Sequence, residues 1–223
     1  MIKNVLKRLA SRLGYDINRK KILDLSDEAS QEISKIRPYT MLPCERLITL
    51  YQQVLFCEQY AVPGSFVECG VWKGGAVGLM ALANMKYGVN RRHIHLFDSF
   101  QEICAPDESV DGEDVVRLAR KKLGNINLGG QLEPLTGVYD GIGGPGTLEG
   151  NRELLENIIG YEPEYLHYHA GWFQETLPVV SPGIDNIAIL RLDGDWYAST
   201  MICLEYLYSK VVIGGFVIID DYG

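Results

Sequence analysis

From Pro63 onward, short apolar runs alternate with amphipathic stretches, and this rhythm sets the expected architecture. SFVECGV, HIHLFDSF, EYLHYHAGWF, IAILRLDGD and GGFVIIDDY read as strands; GGAVGLMALANMKYG, NRELLENIIG and WYASTMICLEYLYSKV read as helices. Runs such as IAIL and FVII are apolar on both faces, as a parallel sheet covered by helices requires. The fold class is therefore α/β, doubly wound, with a mainly parallel sheet. Upstream, PCERLITLYQQVLFCEQY puts Leu47, Leu50, Tyr51, Val54, Leu55 and Glu58 at helical spacing and predicts a helix beside the core. Residues 22–38 are polar and turn-prone and are expected to form a linker. MIKNVLKRLASRLGYDI spaces Ile2, Val5, Leu6, Leu9 and Leu13 along one side with cations on the other, the pattern of a short basic amphipathic helix. The expected division is residues 1–37, helix and linker, and residues 38–223, one domain.

Length and composition agree with one core: 223 residues, 47% hydrophobic. The five cysteines (Cys44, Cys57, Cys69, Cys104, Cys203) form no CxxC pair, which predicts reduced thiols and argues against zinc. No apolar run approaches the roughly 20 residues of a spanning helix, and the start of the chain lacks a signal-peptide core, so a cytoplasmic location is expected. The net charge of −8 is uneven: residues 1–21 carry +6, leaving −14 elsewhere, which disfavours nucleic acid as a partner. The basic arm has two readings, weak contact with an anionic membrane surface through residues 1–20, or packing on its own domain or a second copy in a homo-oligomer.

In an open α/β sheet the ligand sits beyond the carboxyl ends of the strands, so the residues just after each strand carry the information. After the first strand comes Glu68-Cys69-Gly70-Val71-Trp72-Lys73-Gly74-Gly75. Gly70 permits a tight turn under a ligand, and Gly74 and Gly75 open a helix whose N–H groups could face an anion. The spacing fits neither G-x-G-x-x-G nor a P-loop, which excludes the usual pyrophosphate ligands. An acidic residue before the first glycine suits a cofactor with a cationic amino group; a purely structural glycine turn is the alternative. Asp98, at the end of the second strand, is placed for ribose hydroxyls or for capping a turn. Asp193, Asp220 and Asp221, at the ends of two strands, form either a hard-oxygen site for Mg²⁺, Mn²⁺ or Ca²⁺ or a solvated acidic cluster. Asp195 reads as a helix cap. The glycine-rich stretch 124–150 is either a cover for a site or a surface excursion.

VECGVWKGG, FDSF, GWFQETLP, LRLDGDWYAST and GGFVIIDDYG together resemble the TylF/MycF (macrocin) family of S-adenosylmethionine-dependent sugar O-methyltransferases, over residues of about 38 to 223. The resemblance implies a class I methyltransferase Rossmann-like fold, S-adenosyl-L-methionine and Mg²⁺ as cofactors, and a small-molecule or glycan acceptor. Carried onto this chain, the metal ligands fall on Asp193, Asp220 and Asp221, with Asp193 also catalytic. The cofactor site falls on Glu68, Cys69, Gly70, Val71, Trp72, Gly74 and Gly75, on Asp98 and Ser99, and on Gly171, Trp172 and Phe173. Family members use a histidine base before the third strand, whereas no histidine stands between His95 and His167 here, so the acid–base group is left open. His167 and His169 alternate along a strand and read as strand residues. The family's sheet continues past DDY, and this sequence stops at Gly223, which sets the expectation of a sheet truncated after its fifth strand. A catechol-type methyltransferase and a non-catalytic cofactor-binding scaffold are the competing readings.

Overall fold

A computed structural model describes residues 19–123, 132 and 134–220. The basic segment before Arg19, Asp221 and the tip of the glycine-rich stretch lie outside the described residues.

The first described element corrects the expected linker: α1 is a helix, Arg19–Ile36. Its polar composition hides a stripe, because Ala29, Ile33 and Ile36 recur at helical spacing and are all buried in the main core. α2 (Cys44–Gln59) buries Leu47, Leu50, Tyr51, Val54 and Cys57, close to the expected face. β1 (Ser65–Cys69), α3 (Gly75–Tyr87) and β2 (Ile94–Asp98) follow as the apolar rhythm predicts. Two helices that the periodicity did not reveal come next, α4 (Glu108–Asp111) and α5 (Glu113–Leu123). α4 is only four residues long and polar, and in α5 the buried Val116 and Ala119 stand among charged residues. α6 (Leu148–Arg152) runs into a π-helical turn, Glu153–Ile158. β3 (Leu166–Ala170) is shorter than expected, since Phe173 already belongs to α7 (Phe173–Val180). β4 (Ile187–Leu192), α8 (Tyr197–Leu207) and β5 (Val211–Ile219) complete the described chain.

The five strands form one parallel sheet in the order β3-β2-β1-β4-β5. Two buried clusters cover its faces: one joins the sheet to α1, α2 and α3, the other to α7 and α8. Every residue of β4 is buried, as an apolar run in mid-sheet should be. β5, at the edge, differs: Ile213 is fully exposed, and Val217 and Ile219 are also exposed. At the other edge all four histidines form one column, with His93 Nδ1 2.8 Å from His167 Nε2 and His95 Nδ1 3.1 Å from His169 Nε2. Among the described residues no helix is long and apolar enough to cross a membrane.

Candidate functional site

The strand order reverses at β1, which has β2 on one side and β4 on the other, and the strand ends meet there. Gly70 makes that meeting possible. Its φ is +85°, and a Cβ at this position would lie 1.8 Å from the carbonyl oxygen of Asp193. The amide of Asp193 donates to the Cys69 carbonyl at 2.8 Å, and that of Gly70 to the Phe97 carbonyl at 2.9 Å. Any side chain at Gly70 would force β1 and β4 apart at the mouth of the sheet.

Asp98 organises the same turn. Its Oδ2 accepts from the amides of Val71 (2.6 Å) and Trp72 (3.0 Å), and its Oδ1 from the amide of Phe100 (2.6 Å). Burial raises its pKa, and the three amides oppose that shift. Asp98 thus ties the β1 turn to the β2 end.

Above these turns lies a cleft of about 820 Å³. Of the expected site residues, Gly70, Trp72, Asp98, Ser99, Gly171, Trp172, Phe173 and Asp193 line it together. Glu68, Val71 and Gly75 instead line a neighbouring cleft of about 660 Å³, shared with Asp193, Asp195 and Asp220. Cys69 reaches neither: its side chain is fully buried beside Cys203. Gly74 packs against Asn151, and its φ of +81° explains the glycine. Gly75 does not open its helix to the large cleft, because Tyr39 and Thr40 stand over it, 2.6 Å from where a Cβ would sit.

The floor of the smaller cleft is built around Arg191. Its Nη1 donates to Glu68 on β1, and its Nη2 to Asp193 (2.9 Å) and Asp220 (2.6 Å), at the ends of β4 and β5. The guanidinium is buried, so three carboxylates from three strands share one interior cation. Burial lifts the Glu68 carboxyl to about 7 against the pull of Arg191. Burial also raises Asp220, which Arg191 and then Arg46 oppose. The other oxygen of Asp220 accepts from Arg46, in the first turn of α2. Asp193 and Asp220 therefore do converge, and Asp221 lies outside the described residues. Among the described residues no three His, Cys, Asp or Glu side chains make a ready metal cage.

Several walls escaped the sequence reading. Tyr139 lines the large cleft, as do Met41, Gln101, Ile103, Cys104 and Trp196. The segment 134–150 is a cover rather than an excursion. Lys73 Nζ donates to the Gly143 carbonyl (2.8 Å), Trp72 Nε1 to that of Gly144 (3.2 Å), and Asn151 Nδ2 to that of Trp72 (2.7 Å). Leu135 donates to Ile103 at 2.8 Å, pinning the cover to the loop after β2. Burial first, then the negative field of Asp195 and Asp98, raises the Tyr139 phenol, which stays protonated. The glycine-rich composition was the available signal. It showed where a cover could be, but not which aromatic it would carry inward. Asp195, expected to cap α8, stands one residue before the N-cap, Trp196, and Asp111 accepts from the α8 amide of Ala198 at 2.9 Å. His167 and His169 belong to the column on β2 and β3 and line neither of these two clefts.

The chain matches the family model described as macrocin-O-methyltransferase (TylF) over residues 2–126 and 156–223. It is 36% identical over 184 residues to a demethyldecarbamoylnovobiocin O-methyltransferase of Streptomyces niveus, covering 82% of this chain and 62% of the relative. It is 34% identical, with the same coverage of each, to an 8-demethyl-8-(2,3-dimethoxy-alpha-L-rhamnosyl)-tetracenomycin-C 4'-O-methyltransferase of Streptomyces olivaceus. A mycinamicin III 3''-O-methyltransferase of Micromonospora griseorubida is 29% identical, over 98% of this chain and 82% of its own. The chain thus spans under two thirds of the length of the first two relatives. Among solved structures, the O-methyltransferase NovP superposes with a TM-score of 0.64 at 35% identity, over 82% of this chain and 67% of that one. The calicheamicin methyltransferase CalS11 shares the fold, with a TM-score of 0.51 at 21% identity, over 87% and 77%. With its parallel sheet, its glycine turn under Asp193 and these matches, the chain belongs to the macrocin O-methyltransferase (TylF) family.

Proposed function

We propose that this chain transfers a methyl group from S-adenosylmethionine to a hydroxyl of a sugar carried by a small-molecule natural product, with Mg²⁺ at the strand-end carboxylates. The observation that carries the reading is the single cleft on which Gly70, Trp72, Asp98, Ser99, Gly171, Trp172, Phe173 and Asp193 converge. The sugar is supported by the Streptomyces olivaceus relative, whose name specifies a rhamnosyl acceptor.

The residues present fit such a cofactor. Gly70 presents backbone alone to the cleft, its Cβ side being closed by the Asp193 carbonyl. Trp172 and Phe173 offer aromatic faces to an adenine ring, and Ser99 a hydroxyl to a ribose. Asp98 has accepted three amides and retains acceptor capacity for a ribose hydroxyl on the cleft side. When bound, S-adenosylmethionine supplies a sulfonium methyl. Passage of that methyl to an acceptor hydroxyl would release the thioether and the proton of the hydroxyl. The protein's contribution is to hold that oxygen in line behind the methyl and to exclude water, a positioning effect. The cover carrying Tyr139 serves the second purpose.

The divalent cation fits by charge and donor type. Glu68, Asp193, Asp195 and Asp220 line the smaller cleft together with Arg46 and Arg191, and carboxylate oxygens suit Mg²⁺. Asp193, Asp220 and Asp221 would hold it, and it would lower the pKa of the acceptor hydroxyl. Asp193 lines both clefts and so stands between the two functions.

Calorimetry with S-adenosylmethionine tests the cofactor. Binding is expected, weakened about ten-fold or more by Asp98→Asn, roughly the loss of one buried hydrogen bond. A well-folded sample that binds no cofactor would end the proposal. Asp220→Asn is expected to abolish Mg²⁺-dependent turnover while keeping cofactor affinity; unchanged turnover removes the metal from the reading.

A further inference from the structure

Asp220 holds two arginines of very different standing. Arg191 is 3% exposed and joins three carboxylates, so withdrawing it would strand buried charge on three strands. Arg46 is 57% exposed, sits in the first turn of α2 and reaches inward to Asp220 Oδ1, with the Asp220 carbonyl at 3.4 Å. Arg46 can withdraw into solvent, whereas the Asp220 side chain, 8% exposed, stays in place.

The surroundings of Arg46 are unbalanced. It stands between two clefts that share Arg191 and Asp220: one of about 660 Å³ lined by Glu68, Asp193 and Asp195, and one of about 810 Å³ lined by Gln53 and Thr49. A buried acceptor on each side lacks a hydrogen-bond partner among the described residues, Glu68 Oε2 in the first and Gln53 Oε1 in the second. Glu68 itself is almost completely buried. Unsatisfied oxygens beside an excess of carboxylates mark a place where more positive charge, or a ligand bringing hydrogen-bond donors, would be stabilised.

We propose that Arg46 is the resident counter-ion of Asp220 that a divalent cation displaces, so that this exposed arginine sets the affinity of the strand-end carboxylates for the metal. The inference rests on the metal reading given above and adds a competitor that the ligand set does not contain. Arg191 stays in place and keeps Asp193 and Asp220 together. Arg46 swings outward, and the oxygen it vacates becomes a ligand. With the arginine in place and no metal, the pair offsets part of the carboxylate repulsion at the mouth of the sheet.

The test uses the full chain and Mn²⁺ as probe, with free Mn²⁺ followed by electron paramagnetic resonance. Arg46→Gln is expected to bind Mn²⁺ roughly five-fold more tightly than wild type, the factor set by losing one weak competing pair. Arg46→Lys, which keeps the charge but not the fork, should fall between them. A crystal structure with Mn²⁺ bound should show Arg46 beyond hydrogen-bonding distance of Asp220. Equal or weaker Mn²⁺ binding by Arg46→Gln, or Arg46 still on Asp220 beside bound Mn²⁺, overturns the displacement and leaves the metal reading intact. Absence of Mn²⁺ binding by both proteins overturns the metal reading and the displacement together.

Discussion

Two titratable clusters hang on the same sheet and keep their charges in opposite ways. At the carboxyl ends of β1, β4 and β5, Glu68, Asp193 and Asp220 are gathered on the buried Arg191. On β2 and β3 and the residue before β2, His93, His95, His167 and His169 stack with ring centroids 4.6–5.4 Å apart. The first cluster is charged and compensated. In the second, burial and then the neighbouring imidazoles hold His95 down to about 3 and His169 to about 4. Only the first borders the large cleft, through Asp193. Both clusters are polar and partly buried, and the kind of compensation separates a site from a seam.

The largest effect expected is at the hub. Arg191→Leu should cost about 3–5 kcal/mol, because it leaves Glu68 buried without a partner. The double variant Glu68→Leu with Arg191→Leu should recover only the share of that loss owed to Glu68, since Asp193 and Asp220 still lose their buried cation. Urea denaturation measures both, and a single variant within 1 kcal/mol of wild type would show the hub to be dispensable. Asp98→Ala comes next, at about 2–3 kcal/mol, for it leaves the amides of Val71, Trp72 and Phe100 without their acceptor.

The two clusters should also pull the pH profile in opposite directions. The folded pKa values of His95 and His169 lie below the unfolded value of about 6.5. Below that pH the unfolded chain takes up protons that the folded chain refuses, and stability is lost as the pH falls from 6.5 toward 4. Glu68 behaves conversely: its folded value of about 7 lies above the usual 4.5, so its contribution is present in acid and lost as the pH rises through 7. His169→Gln should therefore flatten the decline between pH 6.5 and 5 by roughly 1 kcal/mol after screening, while Glu68→Gln steepens it. Parallel profiles for the two variants would erase the contrast. The smallest effect belongs to Arg46→Gln, expected to change stability by less than about 0.5 kcal/mol despite its contact with Asp220. A loss comparable to that of Arg191→Leu would make the two arginines equivalent.

Much of this was legible along the chain. All five strands could be read because apolar runs in a covered parallel sheet need no partner to reveal themselves, IAIL in β4 being the clearest. The strand-end residues followed from that assignment, and Gly70, Asp98 and Asp193 fall on one cleft as expected. What failed were elements whose pattern is faint. In α1 the apolar residues are scattered among polar ones, and the stripe of Ala29, Ile33 and Ile36 acquires meaning only against α3, where Gly78 makes room for Ile36. Arg191 was missed for a related reason. Inside the apolar run IAILRL it reads as an interruption, and its value depends on Glu68 and Asp220, distant in sequence.

The sequence by itself determined the class of fold, the order in which strands and helices alternate, and the residue types available at each strand end. Those depend on local periodicity and on glycine's freedom at one turn, which neighbours in the chain already specify. Only the tertiary structure decided which of those residues share a cleft: that Ser99 and Gly171 face one space and Glu68 and Asp220 another, that Tyr139 is carried inward by the cover, and that one buried arginine binds three strands together. The physical reason is that compensation of buried charge is a matter of proximity across the sheet. Residues far apart in the chain become partners only once parallel pairing sets β1, β4 and β5 side by side.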